Sequence, residues 1–152
     1  MTYLLDTNIV VFMVRGLKVR ENPNAQQRER HRVALRILER ARKQSAAGHE
    51  VALSAITVAE LEFGARHSGD YEAELGATRR AISPFAQLPF DADDCAAHYG
   101  AIRHKLESSS KPIGSLDTLI AAHALALGAT LVTNDTTDFA RVPGLKCEDW
   151  TA

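Results

Sequence analysis

Four carboxylates, far apart along the chain, stand where they could share one task. Asp6 interrupts the apolar run "YLLDTNIVVFMV", Glu60 lies in "SAITVAELEFGA", Asp117 in "IGSLDTLIAAHAL" and Asp135 in "LVTNDTTDF". Asp138 is a fifth acid in that last stretch and ranks behind Asp135. Desolvating an ionised carboxylate costs several kcal/mol unless something compensates, so Asp6 either surfaces or finds a positive partner. Carboxylates gathered about 5 Å apart repel by on the order of 3 kcal/mol at an effective dielectric near 20. Such a cluster must protonate or hold a cation. An all-oxygen donor set without His or Cys favours a hard dication, Mg²⁺ or Mn²⁺. That ion can polarise a phosphoryl oxygen and lower the pKa of a bound water, which is the chemistry of phosphodiester hydrolysis by a metal-activated water.

Each acid also has a plain structural reading. Asp6 is a favoured helix N-cap residue, and Glu60 stands three residues after Thr57 at capping-box spacing. Asp117 follows Ser115 by two residues and would complement a helix dipole, while Asp135 is a common turn residue. The chemical reading therefore depends on all of them reaching one edge of the fold.

The elements that must bring them there are legible as periodicity. Short apolar runs at Thr2–Leu5, Glu50–Ser54, Phe85–Phe90 and Thr130–Val132 read as strands, with a short edge strand near Leu145–Cys147 in an otherwise looped tail. Between them, helical patterns cover Asn8–Val14, Gln27–Ala47, a segment capped by Thr57 and ending before Ser68, and Tyr71–Ala81. A further helix is capped by Asp91 or Asp93 and runs to about Ser109, and another is capped by Ser115 and ends at Gly128. Gly16–Gln26 reads as a loop containing Pro23. Alternating strands and helices predict an α/β domain of three layers, with a central, mostly parallel sheet of four to five strands. In such sheets ligands bind outside the carboxyl ends of the strands, where Asp6 and Asp135 would emerge.

A chain of 152 residues fits one domain, and its 45% hydrophobic and 24% charged residues are those of a soluble globular protein. The longest apolar runs fall well short of the roughly 20 residues of a spanning helix, and no secretory leader is visible, so the expected location is the cytoplasm. Cys95 and Cys147 lack CxxC spacing and read as reduced thiols; His98, His104 and His123 show no zinc spacing and read as surface or packing residues. The net charge of −1 hides an asymmetry: residues 15 to 43 hold ten of the eighteen Lys and Arg against Glu21, Glu29 and Glu39. That segment would attract polyanions, or form a solvated helix face.

At "LLDTNIV", "SAITVAELEFGA" and "IGSLDTLIAAHALALGATLVTNDTTDFARVPGLKCEDW" the chain resembles the PIN-domain ribonucleases, specifically the VapC-type toxins of bacterial toxin–antitoxin pairs. The resemblance spans residues 3 to 150, and implies a single PIN-like domain over residues 1–152. It implies Asp6, Glu60, Asp117 and Asp135 as metal-binding acids, with Asn8, Ser54 and Thr133 as polar support. It further implies Mg²⁺- or Mn²⁺-dependent endonucleolytic cleavage of RNA, a homodimer, and a small VapB-like antitoxin that wraps the toxin and blocks its acidic pocket. An acidic pocket that cuts a polyanion needs cations nearby, for which Arg15 is the first candidate and Arg36, Arg40 and Lys43 are further ones. Single-stranded or looped RNA bends most readily into such a pocket. Two rivals remain at this stage. One is a phosphohydrolase with Asp6 as nucleophile, although its pattern wants a second acid where Asn8 stands; the other is a catalytically silent module that binds RNA or an antitoxin.

Overall fold

The computed structural model describes residues 1–152 throughout. Strand β1 (Thr2–Leu5) leads into helix α1 (Thr7–Gly16), which is followed by α2 (Ala25–Ala46) and β2 (Glu50–Ser54). Helices α3 (Ala55–His67) and α4 (Tyr71–Ile82) precede β3 (Ala86–Leu88), and α5 (Asp94–Ser108) and α6 (Ser115–Leu127) precede β4 (Thr130–Val132). A short α7 (Thr136–Phe139) and the strand β5 (Lys146–Glu148) complete the chain. All four strand pairings are parallel, in the order β3-β2-β1-β4-β5.

Pleating assigns the strand residues to two faces, because successive side chains point oppositely. Leu5, Leu53 and Val132 face one layer with Ile9, Val10, Met13 and Ile37 of α1 and α2. Leu4, Ala52 and Leu131 face the other, with Ile102 and Leu106 of α5 and Ile120 and Ala124 of α6. Continuous apolar runs in the inner strands are what burial on both faces requires. The chain winds outward from β1 to β3, then crosses back to place β4 on the other side of β1. This reversal is the topological switch, and it opens a crevice at the carboxyl ends of β1 and β4. Among the helices, none is long and apolar enough to cross a membrane.

Local chemistry moved several boundaries. Helix α2 starts at Ala25, two residues before the expected Gln27, because Asn24 accepts from Gln27 N–H and the Gln27 side chain accepts from Asn24 N–H, a reciprocal capping box. Helix α1 begins at Thr7, one residue early, with Asp6 as its cap. Helix α3 begins at Ala55 with Ser54 as cap, not Thr57; Thr57 is already helical and buried. Ser115 is the first residue of α6 rather than its cap, a position held by Gly114. Before α5, Asp93 holds the cap position without a side-chain bond, while Asp91 Oδ1 accepts from the N–H groups of Asp93 and Cys95. Strand β3 is shorter than Phe85–Phe90, β5 lies one residue later than expected, and part of the expected tail loop is α7. Both cysteines are free thiols.

The α1–α2 hairpin closes over Gly16. A Cβ there would lie 2.5 Å from both Ala34 Cβ and the Arg30 carbonyl oxygen. Both atoms belong to a packed helix, so neither can yield cheaply. Gly16→Ala is therefore expected to destabilise the fold by roughly 2 kcal/mol, or about 6 °C in Tm, measured by thermal denaturation. Gly100→Ala serves as the opposite control: it lies within α5 with nothing within 4 Å of the added carbon, and should raise Tm slightly through helix propensity.

Candidate active site

Asp6 follows β1 directly and is 2% exposed. Its backbone N–H continues the sheet by donating to Val132 O at 2.9 Å, which fixes the carboxylate at the switch point. Oδ1 accepts from Thr7 N–H at 2.8 Å, and Oδ2 accepts from Thr133 Oγ1 at 2.9 Å. No Lys or Arg pairs with it. Asp6 is thus both helix cap and buried anion. Burial raises its pKa to about 6, against the Thr133 hydroxyl bond that lowers it; repulsion from Asp117 adds to the rise, the Thr7 N–H opposes it, and Glu60 adds again.

Thr133 joins two of the acids. It donates to Asp6 and accepts from Asp135 N–H at 3.0 Å. Asp135 caps α7, its Oδ1 accepting from Asp138 N–H at 3.2 Å. Asp117, in the first turn of α6, completes a trio with Asp135 and Asp138 in which one carboxylate oxygen from each lies within 4.8 Å of the others. Burial raises the Asp117 pKa, and Asp135, Glu60 and Asp138 raise it further in that order. Asp138, ranked behind Asp135 in the sequence, therefore belongs to the tightest acidic group. The short α7 accounts for this, since a helical turn carries position 138 back beside position 135. Its own ion pair, with Arg141 at 3.8 Å, is long and half-exposed.

Glu60 reaches the rim from α3. Thr7 Oγ1 donates to Glu60 Oε1 at 2.9 Å, so the hydroxyl contact between Thr57 and Thr7 at 3.0 Å has Thr57 as donor. A two-threonine relay replaces the expected capping box and orients the glutamate from the first residue of α1. Thr7 and Thr57 were not foreseen as site residues; Thr7's place beside Asp6 was the available signal.

The polar supports have different jobs. Thr133 is part of the site, whereas Asn8 is exposed and lines the groove beside Thr7 and Glu60. Ser54 is buried; its Oγ accepts from Ile56 N–H at 3.0 Å and lies 2.7 Å from His123 Nδ1. Ser54 thereby holds the start of α3, the helix that carries Glu60. His123 is a buried packing residue, its pKa lowered by burial and its ring edge-on to Phe90.

Of the basic candidates, Arg15 is exposed and lines the same groove as Glu60. Arg36 and Arg40 are instead directed to the C-terminal segment, donating to Thr151 O at 2.6 Å and Asp149 O at 3.0 Å. Lys43 lines a surface cleft with Arg40, Glu148 and Asp149. The Arg36 and Arg40 bonds clamp the residues on either side of buried Trp150.

The donor set fits a hard dication. Its oxygens come from at least three carboxylates, one from each of Asp117, Asp135 and Asp138 lying within 4.8 Å of the others, and no cationic side chain neutralises Asp6, Asp117 or Asp135. An acidic crevice at the switch point of a five-stranded parallel sheet defines a class, and a family model described as PIN domain matches residues 3–145. The tRNA(fMet)-specific endonuclease VapC of Shigella flexneri is 34% identical over 150 residues, covering 97% of each chain. A chain in the structure of VapBC-1 from nontypeable Haemophilus influenzae superposes with a TM-score of 0.80 at 32% identity over 100% of both chains. A structure of VapBC2 from Rickettsia felis, bound to a DNA fragment from its promoter, gives 0.78 at 33% identity over 99% of both. The chain belongs to the PIN-domain family, among its VapC ribonucleases.

Proposed function

We propose that this protein is the toxin of a type II toxin–antitoxin pair, a divalent-metal-dependent endoribonuclease that hydrolyses RNA phosphodiesters in the cytoplasm. The observation that carries the reading is the gathering of Asp6, Glu60, Asp117, Asp135 and Asp138 around one crevice, where the one cation paired with any of them is Arg141, at 3.8 Å from Asp138. The VapC names of full-length relatives support the activity, and the VapBC assemblies of structural neighbours support a VapB-like antitoxin as partner.

Asp117, Asp135, Asp138 and Asp6 are the residues that would hold Mg²⁺ or Mn²⁺. When bound, the ion supplies positive charge for the phosphoryl oxygens and for activating water. The chain supplies the rest. Glu60, with one oxygen held by Thr7, keeps the other free to orient the attacking water and receive its proton. Water adds to phosphorus, the phosphodiester P–O bond breaks, and the leaving oxygen takes up a proton. Arg15 neutralises a neighbouring phosphate as the RNA enters the groove. Arg36 and Arg40 contribute less to RNA, because their guanidinium groups already hold the C-terminal segment. The covalent alternative through Asp6 is disfavoured, since both of its oxygens are hydrogen-bonded and the side chain is buried. A homodimer, an antitoxin covering the crevice, and looped or single-stranded RNA as substrate complete the reading.

The test is cleavage of an RNA mixture by the purified chain freed of any partner. A tRNA pool is the first choice, because the Shigella relative is named for tRNA(fMet). Discrete fragments should appear with Mn²⁺ or Mg²⁺ and none with EDTA. RNA that is bound but stays intact in all conditions would replace this reading with a silent binding module.

A further inference from the structure

The connection between α1 and α2 and the first turns of α2 line an open cavity of about 430 Å³. Its wall carries Arg15, Lys18, Arg20, Arg28, Arg30 and Arg32 and no carboxylate, in a chain whose net charge is −1. Three of these cations are occupied. Lys18 pairs with Glu74 at 2.7 Å, Arg32 with Glu29 at 2.6 Å, and Arg28 donates to the Pro23 carbonyl at 2.6 Å. Arg15, Arg20 and Arg30 form no ion pair. Folding has placed three unpaired, exposed arginines on one wall, where their guanidinium groups are available to an anion. The wall is held in shape by the tight packing of Gly16 on α2 and by His31 Nδ1, 2.8 Å from the Gly16 carbonyl.

Arg15 and Lys18 also line the groove that contains Thr7, Asn8 and Glu60. The acidic rim and the basic cavity are therefore two ends of one track along α1, a 10-residue helix of about 15 Å. We propose that the cavity is a second phosphate-binding site, which receives the RNA backbone flanking the scissile phosphate and sets the direction in which the strand leaves the crevice. The proposal rests on the nuclease reading and adds to it a binding site in Arg20 and Arg30. Arginine forks suit phosphate oxygens, and the continuity with the groove gives a strand a path to them. Six of the twelve lining residues are Lys or Arg, so the charge of the wall favours a polyanion.

The experiment compares wild type with the double variant Arg20→Gln/Arg30→Gln, and with Arg103→Gln on α5 as a control for charge alone. Arg103 is engaged with Glu107 and Tyr99, away from the track. Fluorescence anisotropy follows a single-stranded RNA of about twelve nucleotides in EDTA, where binding is read without turnover. The double variant should bind about tenfold more weakly, and its plot of log affinity against log salt should be shallower by about 1.4, or ~0.7 for each lost phosphate contact. With Mn²⁺, KM should rise and kcat hold. Unchanged affinity and salt slope would overturn the proposal, as would an unchanged RNA affinity accompanied by loss of the co-purifying antitoxin, which would mark a protein site. Because binding is read in EDTA, the result stands apart from whether the chain cuts RNA.

Discussion

Replacing Asp117 by Asn should lower RNA cleavage about a hundred- to a thousandfold, with the fold intact. Asp117 is the acid on which the others converge: Asp135, Glu60 and Asp138 all raise its pKa by repulsion, and it in turn acts on Asp6. Removing one preorganised charge from such a centre typically costs 10²–10³ in rate, about 3–4 kcal/mol of transition-state stabilisation. Asp138→Asn should cost less, about tenfold, because Asp138 is half-exposed and shares its charge with Arg141. Single-turnover cleavage at saturating Mn²⁺ checks both values. Should Asp117→Asn cleave at the wild-type rate, the acidic crevice is not where the chemistry occurs.

Asp6→Asn should abolish cleavage yet stabilise the metal-free protein near pH 7. In the fold Asp6 titrates at about 6, whereas its ordinary value is 3.8. Between these values the folded chain holds a proton that the unfolded chain has released. The contribution of Asp6 is therefore most favourable below about pH 4, declines as pH rises to about 6, and stays at its low level above. The shift corresponds to on the order of 3 kcal/mol. Asparagine carries no charge to desolvate, can accept from Thr7 N–H through its carbonyl oxygen, and keeps a polar group beside Thr133. The difference in Tm between variant and wild type should thus be near zero at pH 4 and grow to several degrees by pH 7 in EDTA. Mn²⁺ should reverse the order, stabilising wild type by mass action and doing so more strongly as pH rises and the carboxylates ionise. Denaturation scans across pH with and without Mn²⁺ measure all of this. A variant that is much less stable than wild type in EDTA at pH 7 would make Asp6 a structural cap and nothing more.

The two outcomes together separate stability from function. Metal-free wild-type protein keeps buried negative charge that weakens the fold, and the site is held in place by neighbours that do not share the charge. Thr133 bonds Asp6 and Asp135, Thr7 and Thr57 hold Glu60, and Ser54 starts the helix that presents it.

What the amino-acid sequence determined by itself was local. Apolar runs around Leu4, Leu53 and Leu131 specify inner strands because both faces of those strands are buried, and helical periodicity with Gly128 in the left-handed conformation that ends α6 specifies the layers around them. The four principal acids were visible as charges in apolar surroundings, and the block resemblance marked them as one family's set. Caps were less legible, since Ser54 and Thr57, or Gly114 and Ser115, are equally plausible starts until the strand before them fixes where the chain turns. Tertiary structure alone decided the rest. Only the placement of β4 beside β1 brings Thr133 to Asp6, because hydrogen bonding across a sheet ignores their separation of 127 positions along the chain. Only the turn of α7 moves Asp138 to Asp117, and only the seating of Trp150 directs Arg36 and Arg40 to the C-terminal carbonyls while Arg15 lines the groove. Periodicity reports which face of an element is buried; strand order, set by the packing of whole layers, reports which of its ends meet.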